Sequence, residues 1–275
     1  MHYVQTDFVV IVELKMKISI ITISFNQVAF LRKAIDSVLS QTGIEKEYIV
    51  VDPGSTDGSR QMIQSYGNSI DRVLFEPDTG PADGLNKGFA LATGDVLCFL
   101  NSDDEFVPGA FGKVITALHD RSSADFISGC GYLVDADGRR LRRIVPTRLT
   151  VADYVYGSCT VFQQGTFFRR RCFERTHGFN GENRTCWDGE LFLDFVCAGY
   201  KHEVIYENVA HFRLHDGSIS GSGRLNEAYA QDSRRLFEKA KGRTWMPRDC
   251  VFALGMRATK LLRHPRYAYE KVLCQ

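Results

Sequence analysis

Two carboxylates stand side by side at Asp103 and Asp104, directly after the run Phe99-Leu100-Asn101-Ser102. In open α/β sheets, ligands bind beyond the carboxyl ends of the strands. Hard oxygen donors paired on such a loop suit Mg²⁺ or Mn²⁺, ions that neutralise a departing diphosphate. The plainer alternative makes both acids caps of the next helix, although a cap needs only one. A second strand, Tyr48 to Val51, ends in Asp52 and enters the turn Pro53-Gly54-Ser55-Thr56-Asp57-Gly58-Ser59. Asp52 is placed to accept a hydrogen bond from a base or ribose, as the acid beyond the strand does in dinucleotide sites. Asp57 and Ser59 read equally well as an Asx or Ser/Thr turn that leads into a helix. Further on, Thr185-Cys186-Trp187-Asp188-Gly189-Glu190 opens a helical pattern. There Asp188 is either the N-cap, with Glu190 as a partner of the helix dipole, or a carboxylate that faces substrate.

Two histidines, His211 and His215, lie four residues apart ahead of Ser218-Ile219-Ser220. A lone histidine is more often a satisfied structural imidazole than a ligand, and the two compete for any functional role. The amides of Gln163 and Gln164 match sugar hydroxyls as hydrogen-bonding partners, or else end a strand in solvent. Arg169, Arg170 and Arg171 read as a solvated face or as phosphate contacts.

These groups need a scaffold that brings strand ends together. From Lys17 to Leu100, short β-branched runs alternate with segments of helical period, the pattern of a parallel sheet built from βα units. Strands are expected at Ile18 to Ser24, Tyr48 to Val51, Arg72 to Phe75 and Val96 to Leu100. Phe30, Leu31, Ala34, Ile35, Val38 and Leu39 share one helical face, and Ala82 to Ala92 forms another helix, with Gly94 as its positive-φ cap. A helix starts near Pro108. Strands follow at Asp125 to Ser128, in a hairpin of Tyr132 to Val134 with Arg140 to Ile144, and at Gly165 to Phe168. A helix near Glu190 to Ala198 precedes strands at His202 to Tyr206 and Val209 to Leu214. Residues 224–275 read as helical and increasingly basic. The domain plan is an extension over 1–15, an α/β unit over 16–222 in two halves (17–104 and 105–222), and a C-terminal extension over 223–275.

Composition narrows the function classes. The 275 residues carry 34 Lys plus Arg against 33 Asp plus Glu, so no chain-wide basic field exists to hold nucleic acid. The eight cysteines show no C-x-x-C pair, which reads as reduced thiols and a cytoplasmic setting. Phe8 to Val12 is too short for a span and lacks a basic flank. No G-x-G-x-x-G follows the first strand, against a nicotinamide oxidoreductase. Asn101-Ser102-Asp103 lacks the first acid of a haloacid-type phosphatase.

Taken together, Ile20 to Asn26, Val51 to Ser59, Asp83-Gly84-Leu85-Asn86-Lys87-Gly88 with Ala92 to Asp95, and Leu100 to Asp104 resemble the family 2 glycosyltransferases of GT-A fold, of the cell-wall glycan type. The resemblance covers most of residues 17–220. It implies a mostly parallel α/β sheet flanked by helices, with 17–104 as the nucleotide-sugar half and 105–222 as the acceptor half, and an inverting transfer from a nucleotide-diphosphate sugar, UDP-linked by default, to a saccharide or lipid-linked acceptor. It also implies that Thr22, Ser24, Asn26, Asp52, Ser55, Asp83, Lys87 and Ser102 form the donor site. Asp103 and His215 would hold Mn²⁺ or Mg²⁺, Asp188 would be the catalytic base, and Gln164, Trp187 and Glu190 would contact acceptor. The chain departs from the family pattern at Asn101 and Trp187, where acids are common. That departure keeps open a non-catalytic nucleotide-sugar-binding or scaffold protein of the same fold. The basic, apolar C-terminal segment suits either packing on the domain or peripheral contact with the inner membrane face.

Overall fold

The first strand, β1 (Ile18–Ile23), is β-branched at five of its six positions and buried over nearly its whole length, as suits the centre of a parallel sheet. In the computed structural model, which describes residues 16–215, 217 and 226–273, β1 is flanked by β2 (Lys46–Val51) and β4 (Val96–Asn101), both parallel to it. The register aligns Ile23 with Val51 on one side and Asn101 on the other, so three strands end at one level. β3 (Arg72–Leu74) extends this parallel half beyond β2. The expected extension over 1–15, Asp216, the Ser218-Ile219-Ser220 stretch and Cys274 lie outside the described residues.

Helices cover both faces of this half. On α1 (Val28–Leu39), Leu31, Ala34, Ile35 and Val38 recur at helical spacing and are fully buried. Burial of each larger aliphatic side chain in such a row contributes about 1.5–3 kcal/mol. α2 (Ser59–Ser65) is short, and α3 (Pro81–Leu91) begins with the proline that pre-sets φ for a first turn. α3 lies close against the sheet because a Cβ at Gly88 would sit 2.7 Å from Ile21 Cγ2. The helix ends at Leu91, and its cap residue, Ala92, is extended. Gly94 therefore is not the positive-φ cap expected of it. It is required instead because a Cβ there would meet the Ser19 amide nitrogen at 2.6 Å.

The second half is mixed in direction. β4 pairs antiparallel with β8 (Thr166–Arg169), β8 antiparallel with β6 (Phe126–Val134), and β6 parallel with β9 (His202–Arg213). Short β5 (Glu105–Phe106) closes the path, giving the order β3-β2-β1-β4-β8-β6-β9-β5, with β7 (Arg140–Ile144) as a hairpin arm on β6. Two strands expected as separate pairs are continuous here. β6 runs through Gly129 and Gly131, and β9 through Glu207 and Asn208, with register shifts against each other that absorb the irregularity. α4 (Ala110–Asp120) starts two residues after Pro108, behind Gly109 in left-handed conformation.

α5 (Val151–Val155), α6 (Arg170–Glu174) and α7 (Trp187–Cys197) complete this half, and α8 (Asn226–Lys241), α9 (Pro247–Ala258), α10 (Lys260–Arg263) and α11 (Pro265–Leu273) follow it. The later helices pack on the domain through Leu236 against Leu193, Phe237 and Ala253 against Tyr156, and Tyr267 against Val145. Val251, Phe252, Leu254 and Leu262 remain exposed. No described helix is long and apolar enough to cross a membrane.

Candidate active site

The ends of β1, β2 and β4 frame a cavity of about 610 Å³. Ser24 and Phe25 after β1, Pro53 after β2, Asp78 and Gly80 ahead of α3, and Ser102 and Asp103 after β4 line it. The loops are stitched to one another. Asn26 adopts a positive φ of 52°, which asparagine tolerates better than most residues; its amide donates to Ser55 Oγ at 2.8 Å, and its Oδ1 accepts from the Thr56 amide at 2.9 Å. Asp52 accepts from the Gly54 and Ser55 amides and from Arg60 through Oδ1. Among the described residues its buried Oδ2 has no partner, and neither has Ser24 Oγ. A buried polar atom left unpaired costs about 1–3 kcal/mol, which a hydrogen-bonding ligand would recover.

A second cavity, of about 500 Å³, adjoins the first. Asn101, Trp187 and Phe212 line both. Asp188 lines only this second cavity, with Gln163 and Gln164, and Asp103 lines only the first. Trp187 is held at the junction by ring contacts to Phe99 at 5.5 Å and Phe179 at 5.7 Å, part of an aromatic chain beneath β4. The N-cap of α7 is Cys186, so Asp188 lies inside the first turn and is not a cap. Burial raises its carboxyl above the usual aspartate value, partly offset by backbone amides of its own turn.

The loop after β4 is clamped from β9. Arg213, fully buried, donates to the Asp103 carbonyl at 3.0 Å and to the Asp135 and Ala136 carbonyls, and pairs with Glu105. Its amide donates to Asp104 Oδ1, while Gln164 Nε2 donates to Asp104 Oδ2 at 2.8 Å. Asp104 is thus enclosed, and burial together with the Asp103 charge pushes its carboxyl well up. Asp103 points the other way, with Oδ2 at 3.0 Å from His215 Nε2. The His215 ring packs on Phe30 at 4.6 Å. One carboxylate with one imidazole is a mixed donor set, which Mn²⁺ accepts more readily than Mg²⁺, a cation that prefers oxygen alone. No cluster of three His, Cys, Asp or Glu donors exists among the described residues. Any remaining ligands would come from donor phosphates and water.

Several expected site residues lie elsewhere. Thr22 is fully buried and accepts from the Tyr48 hydroxyl, because alternate positions on β1 face the core. Asn26, Ser55 and Asp52 shape the loops and do not line the cavity. Asp83 and Lys87 pair with each other one helical turn apart on α3, 3.3 Å between Nζ and Oδ2. Asp78 lines the cavity in their stead, its carboxyl raised by burial and by Asp83. Glu190, expected to contact acceptor, lines neither cavity. It is buried among Asn183, Arg235 and Lys239. Burial alone would raise its carboxyl, but those donors reverse the effect and hold it at about 2. Arg169 and Arg170 bind the Ala124, Leu118, Ala92 and Gly94 carbonyls at the opposite sheet end, and Arg171, which is exposed as a solvated face would be, pairs with Asp125 there. His211 Nε2 is buried with no partner among the described residues, and burial lowers its pKa.

Sequence reasoning passed over Asp78 and Arg213. The Pro77-Asp78-Thr79-Gly80-Pro81 cluster was a legible loop signal beyond a strand, and a lone Arg in the apolar run Phe212-Arg213-Leu214 was a signal of a buried, fully engaged cation.

Residues 19–208 match the family model described as glycosyl transferase family 2. A Bacillus subtilis protein provisionally named the teichuronic acid biosynthesis glycosyltransferase TuaG is 32% identical over 212 residues, 74% of this chain and 82% of its own. The solved structure of S. aureus TarS in complex with UDP-GlcNAc superposes with a TM-score of 0.65 at 18% identity, covering 94% of this chain and 76% of that one. A Pyrobaculum calidifontis mannosyltransferase with GDP-Man and Mn²⁺ does so with a TM-score of 0.62 at 18% identity, covering 92% and 72%.

Proposed function

The chain belongs to glycosyl transferase family 2, and from that premise we propose that it is an inverting transferase of surface polysaccharide assembly, moving one sugar from a nucleoside diphosphate sugar to a hydroxyl of a glycan or lipid-linked acceptor. One observation carries this reading. Two cavities meet at Asn101, Trp187 and Phe212, with Asp103 on one side of the junction and Asp188 on the other. The solved complexes with UDP-GlcNAc and GDP-Man support a nucleotide-sugar donor, with UDP as the first candidate.

In this reading the donor lies in the cavity framed by Ser24, Pro53 and Asp78. Ser24 Oγ, a buried atom with no partner among the described residues, supplies hydrogen-bonding capacity for the nucleoside, and Asp52 shapes the neighbouring loop through the Gly54 and Ser55 amides. Asp103 and His215 are the residues that would hold the divalent cation, and Ser102 adjoins the diphosphate. When bound, that cation offsets the negative charge that builds on the leaving diphosphate. Asp188 takes the proton of the acceptor hydroxyl as its oxygen forms a bond to the anomeric carbon. The carbon–oxygen bond to the diphosphate breaks, and its electron pair leaves with the nucleotide. Attack opposite the leaving group inverts the configuration. Trp187 and Gln164 shape the acceptor side, Gln164 by fixing Asp104 beneath the metal loop. Arg213 is a positioning residue for the same loop.

Residues 16–222 would form the transferase unit. The exposed Val251, Phe252, Leu254 and Leu262, interspersed with Arg248 and Arg257, would rest on the anionic inner face of a membrane, where a lipid-linked acceptor is presented.

Calorimetric titration with UDP-, GDP- and dTDP-sugars, with Mn²⁺, with Mg²⁺ and with chelator, tests the donor site. Metal-assisted binding of one nucleotide class, lost in Asp103→Ala, supports the reading. Donor binding with no transfer to any hydroxyl acceptor would favour a binding or scaffold protein, and no donor binding under any condition would overturn the donor assignment.

A further inference from the structure

The cavity that contains Asp188 is walled partly by β7 and partly by α10 and α11, helices that follow the family-matched segment. Four cations line it: Arg142, Arg143, Lys260 and Lys271. Asp188 is the single acid among the described residues of the lining. Arg143 is already neutralised by Glu270 and is tied to the Tyr206 carbonyl at 2.9 Å. The other three have no carboxylate partner among the described residues. Arg142 makes no hydrogen bond there either. Lys260 Nζ donates to Thr160 Oγ1 at 2.7 Å and lies 4.6 Å from the centre of the Tyr267 ring. Lys271 Nζ donates to the Tyr267 hydroxyl at 3.3 Å and lies 5.6 Å from the same ring.

Two ammonium groups set against one ring repel each other, and an anion seated between them would turn that repulsion into attraction. The local field registers on Tyr267. Burial would raise its hydroxyl, yet Lys260, a hydrogen bond with Thr160 and Lys271 together draw it below the usual tyrosine value. A neutral sugar chain would need hydroxyl and amide partners, yet the side-chain NH2 groups of Gln163, Gln164 and Asn101 on this wall are already engaged by the Phe99 carbonyl and Asp104. It has no use for three unpaired cations.

We propose that the acceptor is an anionic saccharide, bearing phosphate or carboxylate, and that Arg142, Lys260 and Lys271 bind this charge while Asp188 engages the hydroxyl to be glycosylated. The inference rests on the assignment of this cavity to the acceptor. It makes the C-terminal helices a specificity element of the transferase site.

The test is calorimetry of the full chain saturated with UDP and Mn²⁺, titrated with three probes: a short-chain polyprenyl-diphosphate-linked sugar, a uronate-containing oligosaccharide, and a neutral oligosaccharide of similar length. One or both anionic probes should bind at least about ten-fold more tightly than the neutral one, as charge-assisted hydrogen bonds require. A preference for the diphosphate places the charge on the lipid carrier, and a preference for the uronate places it in the glycan. Lys260→Gln with Lys271→Gln should abolish the preference with UDP affinity unchanged. Arg142→Gln, on an exposed strand position that threatens no core packing, should weaken it independently. Equal binding of neutral and anionic probes, a preference that survives all three substitutions, or binding of UDP with none of the probes would overturn the proposal. Failure to bind UDP at all would instead count against the donor assignment.

Discussion

Ser24 and Asp188 separate binding from chemistry most cleanly. Ser24 Oγ is buried with no partner among the described residues, so Ser24→Ala removes no internal hydrogen bond. Its stability should change by less than about 0.5 kcal/mol, while the affinity for the UDP-sugar falls; calorimetry and thermal melting read the two separately. Asp188→Asn keeps the shape of the cavity and removes the carboxylate proposed as base. Donor affinity should persist while the turnover rate drops by about 10²–10⁴-fold, and a variant with full transfer rate would refute the base assignment. Because burial raises the Asp188 carboxyl above the usual aspartate value, the rate should fall on acidification through that raised pKa, at a higher pH than an exposed aspartate would show. The Asn variant should lack this acidic limb. Glu190 has the opposite sign. Its carboxyl is depressed to about 2, so its pairing with Arg235, Asn183 and Lys239 stabilises the fold fully above the unfolded value and is lost as pH falls toward 2. Urea unfolding of wild type should weaken by up to about 3 kcal/mol over that window, and the Glu190→Gln variant should show a shallower acid dependence.

Elements decide how tightly the strand ends are held. α3 approaches β1 and β2 at Gly88, where an added Cβ would press on Ile21 Cγ2 at 2.7 Å and on Val51 Cγ2 at 3.2 Å. Gly88→Ala should therefore cost about 1–3 kcal/mol through overpacking. Gly112, inside α4, has nothing within 4 Å of its Cβ position, so Gly112→Ala should stabilise by about 0.5–1 kcal/mol. Denaturant midpoints of the two variants should move in opposite directions, although their chemistry is identical. The four parallel strands and their helices were legible because buried parallel strands read as continuous β-branched runs and amphipathic helices repeat every three to four residues. β6 and β9 were read as broken strands because Gly129, Gly131 and the polar pair Glu207-Asn208 mimic turn signals. Their long mutual pairing, set by contacts between distant segments, overrides that local composition.

At the scale of the whole molecule, the C-terminal helices serve two faces. Inward, Leu236, Phe237 and Tyr267 join the core and Lys260 and Lys271 reach the cavity that Asp188 lines. Outward, α9 and α10 leave Val251, Phe252, Leu254 and Leu262 exposed. Co-sedimentation should show binding to vesicles rich in anionic lipid and little to neutral ones, and Phe252→Asp with Leu262→Asp should release the protein without altering UDP affinity. The sequence by itself determined the α/β scaffold and the placement of Asp52 and Asp103 just after strands and of Asp188 at the start of a helix, because hydrophobic period and turn chemistry are local properties. Only the tertiary structure decided which of the neighbouring polar groups face the cavities. Asp103 faces the first cavity and Asp104 is locked away by Arg213 and Gln164; Asp78 replaces Asp83 at that cavity's wall; Asp188 lines the second cavity and Glu190, two residues later, is consumed by Arg235 and Lys239. For Asp104 and Glu190 the physical reason is the same: a carboxylate's role depends on which distant cation or amide reaches it first, and partners 45 to 109 residues away are assembled by packing, not by spacing along the chain.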